Sequence, residues 1–357
     1  MDCHNIILAD IGSHNVSGKS VGHYFSLADN YRKMFRNCKI AGGPIYKQKF
    51  SSSCMLELPY DTISTKNIIL SKWCQFLNLR ALMKLSEDNS VIVFQQSALA
   101  TLLVFLCFIN TKGKIYIISY DDDAVRTKFK RFFFRISKKK INGLICPNID
   151  VANAFGLPYC IVPDYIYTGE SVSYEHSYNK KIYDFCIVGR LSPEKGVVEV
   201  IKLLRNTKYK LLVAGNPQDE IIHHMLVDAA RGADNISLHL GYIESDEYHR
   251  YLSESRFTFL NYQGEYSRRS SGVVFDTLFA GVPVVGCRCK ALSFIEEAEC
   301  GFLYDDISEV LGRMELICET DYLNYLKHID IYRETHDKYI EILHEFITKK
   351  ESTKNEK

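Results

Sequence analysis

Short apolar runs rich in Val, Ile, Leu and Phe recur at Ile6 to Ala9, Val91 to Phe94, Ile115 to Ser119 and Leu144 to Cys146. They resume at Phe185 to Val188, Leu211 to Ala214, Phe257 to Leu260 and Val282 to Val285. Segments of helix length separate them, and that alternation predicts βαβ units and parallel sheets. The runs are nearly continuous rather than alternating, as strands are when helices cover both faces of their sheet. Between Pro163 and Tyr183 the pattern lapses into a polar, tyrosine-rich segment before a fresh strand begins at Asp184. The expected organisation is an N-terminal domain over 1–164, a linker over 165–183, a second domain over 184–320 and a C-terminal helix with its tail over 321–357. Tyr322, Leu326, Ile329, Tyr332, Tyr339, Ile342, Leu343 and Phe346 form that helix's one-sided stripe. The most apolar stretch, Ala98 to Ile109, is too short to span a bilayer and reads as a buried helix. No clear internal repeat points to a solenoid.

Length agrees: 357 residues exceed what one hydrophobic core usually organises. The formal net charge of +1 hides an asymmetry. Residues 1–164 hold 21 Lys and Arg against 12 Asp and Glu, or +9, leaving the remainder at −8. The N-terminal half is therefore expected to face something anionic. The twelve cysteines are scattered, none forms a C-x-x-C pair and no signal peptide is evident, so a reducing cytoplasm is expected rather than a disulfide scaffold or zinc site. Cys107, Cys146 and Cys186 lie within apolar runs, where a thiol acts as a small core hydrophobe.

The segment Phe185 to Leu204 is a buried strand ending in Gly189-Arg190, a Ser192-Pro193-Glu194-Lys195-Gly196 turn and an amphipathic helix. Arg190 and Lys195 thus stand at the carboxyl end of a parallel strand, where open α/β sheets bind ligands. Fixed cations there favour the departure of a diphosphate, although alone the segment equally fits a surface loop with two solvated charges. Farther on, Ser270-Ser271-Gly272-Val273 opens a two-turn helix that ends at Gly281 before another buried strand. Such a start leaves amide N–H groups free for an anion. Asp276, one turn inside, suits a ribose diol or a plain helix surface.

These two segments, with the glycine-ended strand Leu211 to Gly215 and the Leu240-Gly241-Tyr242-Ile243 turn between them, resemble glycosyltransferase family 4 over about residues 183–305. The resemblance implies an α/β, GT-B architecture: two Rossmann-like parallel-sheet domains facing a cleft, with a C-terminal helix. It implies a retaining, metal-independent, hexosyltransferase-type enzyme without a cofactor. Such an enzyme moves a sugar from a nucleotide diphosphate donor to a glycan or lipid-linked glycan, in bacterial surface-polysaccharide synthesis. In that family the residues matching Arg190 and Lys195 hold the diphosphate beside Gly189, Tyr242 and Ile243 flank the nucleobase, and Ser271, Gly272 and Val273 meet the phosphates. Asp276 matches the second acid of an E-x7-E motif. Arg268 stands where the first Glu is usual, so either sugar recognition differs or Glu265 substitutes from the same loop.

The N-terminal half resembles the family more loosely. Gly12 to Ser20 looks like a P-loop, but five residues rather than four separate Gly12 from Gly18. The resemblance favours a donor-facing glycine loop at Gly18, with a helix from Val21 onward. Asp121 to Asp123 satisfies a metal-binding D-x-D pattern, yet acids are common where helices begin. Its place instead matches the family's His-Asp, making Asp121 a candidate contact to the donor sugar or acceptor hydroxyl, with His14 and His23 lesser candidates.

Residues 126–140 carry eight basic side chains, no acid and five interleaved apolar ones. That composition suits either a core helix with a basic back or an interfacial helix on the anionic inner face of a membrane. No nucleic-acid motif accompanies it. The resulting expectation is a cytoplasmic, peripherally membrane-bound glycosyltransferase; the alternatives are a nucleotide-sugar epimerase of the same fold, a metal-dependent transferase and a non-catalytic nucleotide-sugar-binding protein.

Overall fold

The computed structural model describes residues 5–12, 15–16, 19–20, 22–60, 67–96, 98–111, 113–166 and 178–348, apart from 265–266 and 268–270. Two compact units divide the chain. Unit 1 comprises residues 1–168 and 337–357, and unit 2 comprises 169–336.

In unit 1 the strands are β1 (Ile6–Ala9), the short hairpin β2 (Asn15–Val16) and β3 (Lys19–Ser20), β4 (Lys39–Gly42), β5 (Met55–Glu57), β6 (Val91–Phe94), β7 (Lys114–Ile118), β8 (Gly143–Cys146) and β9 (Tyr159–Ile161). Its helices up to that point are α1 (Gly22–Met34), α2 (Ile68–Leu85), α3 (Leu99–Phe108), α4 (Asp123–Arg126), α5 (Lys128–Ser137) and α6 (Ile149–Phe155). Seven strands form one parallel sheet in the order β5-β4-β1-β6-β7-β8-β9. Side chains alternate across it. Ile7, Ile92, Ile115 and Leu144 meet α2, α3, α5 and α6 on one face, while Leu8, Val93, Tyr116 and Ile145 meet α1 on the other. Side-chain caps start the helices as composition predicts: Asn67 accepts from Ile69 and Leu70, and Asn148 accepts from Val151. The expected buried helix near 98–109 is α3, with Leu102, Phe105 and Leu106 inaccessible.

Unit 2 contains β10 (Tyr183–Val188), α7 (Val197–Leu204), β11 (Leu211–Gly215), α8 (Glu220–Ala230), β12 (Ile236–Leu240), α9 (Ser245–Ser253) and β13 (Ser255–Leu260). It continues through α10 (Gly272–Phe279), β14 (Val284–Cys287), α11 (Ser293–Glu297), β15 (Gly301–Tyr304), α12 (Glu309–Leu316) and α13 (Glu319–Glu334). Its six strands are parallel in the order β12-β11-β10-β13-β14-β15. The C-terminal stripe is divided at Thr335: α13 packs into unit 2 through Tyr322, Leu326 and Ile329, and α14 (His336–Thr348) places Leu343 and Ile347 in the core of unit 1.

Each sheet reverses its order once. In unit 1 the chain runs outward from β1 through β4 to β5, then resumes on the other side at β6. In unit 2 it runs from β10 to β12 and resumes at β13. The loops leaving the carboxyl ends of the two strands at such a reversal part to opposite sides and leave a crevice between them.

Candidate functional site

The unit 2 reversal lies between β10 and β13, and the loops that follow them carry most of the residues singled out by sequence. Gly189 closes β10 with φ +95, a left-handed conformation that only glycine takes without strain. A Cβ built on it would sit 3.4 Å from Val273 Cγ2 and 3.8 Å from Lys195 Nζ. Gly189, Lys195 and the start of α10 therefore converge on one spot, although Lys195 and Val273 are far apart along the chain.

The Lys195 side chain is only 5% exposed. Burial first, and the neighbouring Arg190 charge second, lower its ammonium pKa to about 8. Arg190 itself is exposed.

The turn that carries Lys195 is pinned to the loop after β13. Asn261 Nδ2 donates to the Gly196 carbonyl at 3.1 Å, and the Gln263 N–H donates to the Glu194 carbonyl at 2.7 Å. Tyr304 O–H in turn donates to Asn261 Oδ1 at 2.9 Å. Gly196 has φ +56, and a Cβ there would collide with Asn261. Ser271, almost fully buried, shares a 2.6 Å hydrogen bond with the Tyr262 hydroxyl. Its side chain does not cap the helix, and the first turn carries no acid. The start of α10 thus keeps the partial positive charge that attracts anions.

Asp276 is half-buried and accepts a 3.0 Å hydrogen bond from the Tyr248 hydroxyl on α9. Burial, then the Asp276 charge, push the Tyr248 pKa well up, so the phenol remains a donor. Ile243, Tyr248 and Val273 pack against one cluster containing Val188 and Ala214. Tyr242 is exposed beside Ile243. A buried ammonium, a helix start and a positioned carboxylate therefore line one sheet end, an arrangement that suits a phosphorylated, hydroxylated ligand. Gly18, Glu265, Arg268 and His14 lie outside the described residues, as does the His23 side chain.

Asp121 belongs to unit 1. Its Oδ2 accepts from Gln96 Nε2 and its Oδ1 from the Asp123 N–H, both at 2.9 Å. Asp122 and Asp123 form ion pairs with Arg126 at 2.7 and 3.0 Å. The acid triplet thus opens α4 and pairs with its last turn, the ordinary role of acids at a helix start. Nearby strand ends contribute Asp10, inaccessible, which accepts from Tyr46 O–H at 2.7 Å and from the Gly12 N–H at 3.0 Å.

Sequence reasoning did not single out Tyr248, Asn261, Tyr262, Asp10 or Gln96 for the site. Asn261 and Tyr262 carried a usable signal, because they directly follow an apolar run that ends at the sheet reversal. Tyr248 carried none, since its partner lies 28 positions away on another helix.

Residues 183–319 match the family Glycosyl transferases group 1. The E. coli trehalose-6-phosphate structure bound with UDP-2-fluoro glucose superposes with a TM-score of 0.69 at 10% identity, covering 96% of this chain and 99% of that one. An alpha,alpha-trehalose-phosphate synthase (UDP-forming) from Burkholderia xenovorans, in complex with glucose-6-phosphate, gives 0.68 at 12% identity, covering 96% and 99%. Anabaena HepE in complex with UDP and glucose gives 0.68 at 12% identity, covering 97% and 100%. The fold is GT-B. No curated protein matches significantly in sequence. The GT-B domain that matches the glycosyltransferase family is the one whose sheet end gathers Gly189, Lys195, Val273 and Asp276.

Proposed function

We propose that the protein is a retaining glycosyltransferase that takes its sugar from a nucleotide diphosphate donor held by unit 2. The observation that carries this reading is the buried Lys195 ammonium beside Gly189 and the start of α10. An ammonium removed from water is a strong partner for a diphosphate, and it gains most when the leaving group acquires charge. Arg190 adds a second cation, Ser271 and Gly272 open the helix that faces the phosphates, and Asp276 takes the ribose diol while Tyr248 fixes its carboxylate. Tyr242 and Ile243 flank the base. The solved GT-B structures with UDP-2-fluoro glucose or UDP and glucose support a UDP-sugar of the hexose class as the first donor to test.

In this reading unit 1 receives a glycan or lipid-linked acceptor at the inner face of a membrane, and Asp121 meets the sugar or the acceptor hydroxyl. Neutralisation by Lys195, Arg190 and the helix start replaces a divalent cation. The test is a screen of UDP-, GDP- and ADP-sugars for released nucleoside diphosphate, run with and without EDTA. Release that persists in EDTA is expected. Loss in EDTA with recovery in Mn²⁺ overturns metal independence, and failure to turn over any donor favours a binding protein.

A further inference from the structure

Two stretches distant in sequence put large apolar side chains into solvent on one face of unit 1. The first turns of α2 expose Ile68 (76%), Ile69 (81%), Leu70 and Trp73. The Asn67 cap starts α2 before its buried face, which begins at Cys74 and Gln75, reaches the core. Helix α5 exposes Phe129 (71%) and Phe132 while burying Phe134.

Helix α3 lies against both of them. Phe76 of α2 packs edge-on against Phe105 at 5.1 Å, and Cys107 Sγ donates to the Phe133 carbonyl at 3.5 Å. Burial first, and the Lys130 charge second, lower the pKa of Lys72.

Charge decides what such a surface faces. Neither α2 nor residues 126–140 contain an acid, whereas Lys128, Arg135 and Lys139 are exposed, and Lys72 turns its ammonium to Gln75 Oε1 at 3.2 Å. Other cations of the stripe are engaged by the protein itself: Lys140 donates to the carbonyls of Leu106 and Ile109, and Arg126 pairs with Asp122 and Asp123. Protein interface cores are depleted in charge, while amphipathic helices on lipid mix aromatic and aliphatic groups with Lys and Arg of one sign. Among the described residues no helix is long and apolar enough to cross a membrane.

We propose that the first turns of α2 and the outer face of α5 form one docking surface for an anionic lipid bilayer. Trp73, Ile68 and Ile69 enter the headgroup region beside Phe129 and Phe132, and the flanking cations meet lipid phosphates. This deepens the reading of unit 1 as the half that meets a lipid-linked acceptor, but vesicle binding needs no turnover and is scored independently of it.

Trp73 is the chain's only tryptophan, so its emission reports on this surface in the unmodified protein. The full chain is titrated with vesicles of phosphatidylcholine alone and of equimolar phosphatidylcholine and phosphatidylglycerol, at low and high salt, with brominated acyl chains as quenchers. The expected result is a blue shift and quenching with the anionic vesicles only, weakened by salt. Ile68→Ser with Ile69→Ser is expected to lower vesicle affinity by roughly tenfold or more at unchanged circular dichroism. Phe129→Ser with Phe132→Ser is expected to reduce the Trp73 shift as well. No binding at low salt, cosedimentation without a Trp73 shift, or a Trp73 shift untouched by the α5 changes overturns the single surface. A blue shift that follows protein concentration without lipid instead assigns the face to a second copy and also overturns it.

Discussion

Lys195 carries two opposed effects. Its pKa falls from 10.5 to about 8 in the fold, so the charged form is disfavoured and its full destabilising effect is present below about pH 8. That cost is relieved as pH rises from about 8 towards 10.5, where the unfolded chain binds more protons than the folded one. Lys195→Met is therefore expected to stabilise the fold at pH 7 by about 1 to 3 kcal/mol in chemical denaturation while weakening diphosphate binding. A bound diphosphate raises the ammonium pKa again, so binding at about pH 8.5 takes up protons that binding at about pH 7 does not. Calorimetry in buffers of different ionisation enthalpy measures that uptake. Asp276→Ala is expected to lower nucleotide affinity by about 1 to 3 kcal/mol, and Tyr248→Phe by about 0.5 to 1.5. Because Tyr248 acts through Asp276, the double variant should lose little more than Asp276→Ala alone, and a full sum of the two losses would contradict the shared role.

At the scale of elements, strands with continuous apolar runs were legible, while the sheet edges and the inner strand Lys39–Gly42, which begins with a lysine and ends with a glycine, were not. Val91 to Phe94 and Ile6 to Ala9 are buried on both faces, so their composition alone marks them. Met55–Glu57 and Ile236–Leu240 lie at sheet edges with partly exposed residues, and no continuous apolar run announces them. The Gly-Arg and Ser-Gly segments were legible because glycine at a strand end and an anion-ready helix start have short local signatures. The brace between them was not, since Asn261 and Tyr304 meet Gly196 only through tertiary structure. Gly196→Ala, which forces a side chain into the left-handed region against Asn261, is expected to destabilise unit 2 by about 1 to 3 kcal/mol and to weaken nucleotide binding with it. Denaturant unfolding and nucleotide titration of the same variant measure both effects.

For the whole molecule, the apolar alternation foretold two parallel sheets, but the destination of the last helix depends on packing. Leu343 and Ile347 are fully buried in the core of unit 1, far in sequence from the strands they cover. Leu343→Ala is expected to cost about 2 to 5 kcal/mol, with hydrogen exchange rising in unit 1 before unit 2. The charge asymmetry, +9 over residues 1–164 and −8 beyond, has its structural counterpart in the exposed cations of α2 and α5.

The central claim is that unit 2 grips a nucleoside diphosphate through Lys195, the start of α10 and Asp276. Isothermal titration of the full chain at about pH 7 with UDP, GDP and ADP, repeated on Lys195→Ala and Asp276→Ala, tests it most directly. One of the three nucleotides should bind one to one, and each substitution should weaken it about tenfold or more without altering the fold. Absence of binding by all three, or equal affinity in Lys195→Ala, would contradict the account.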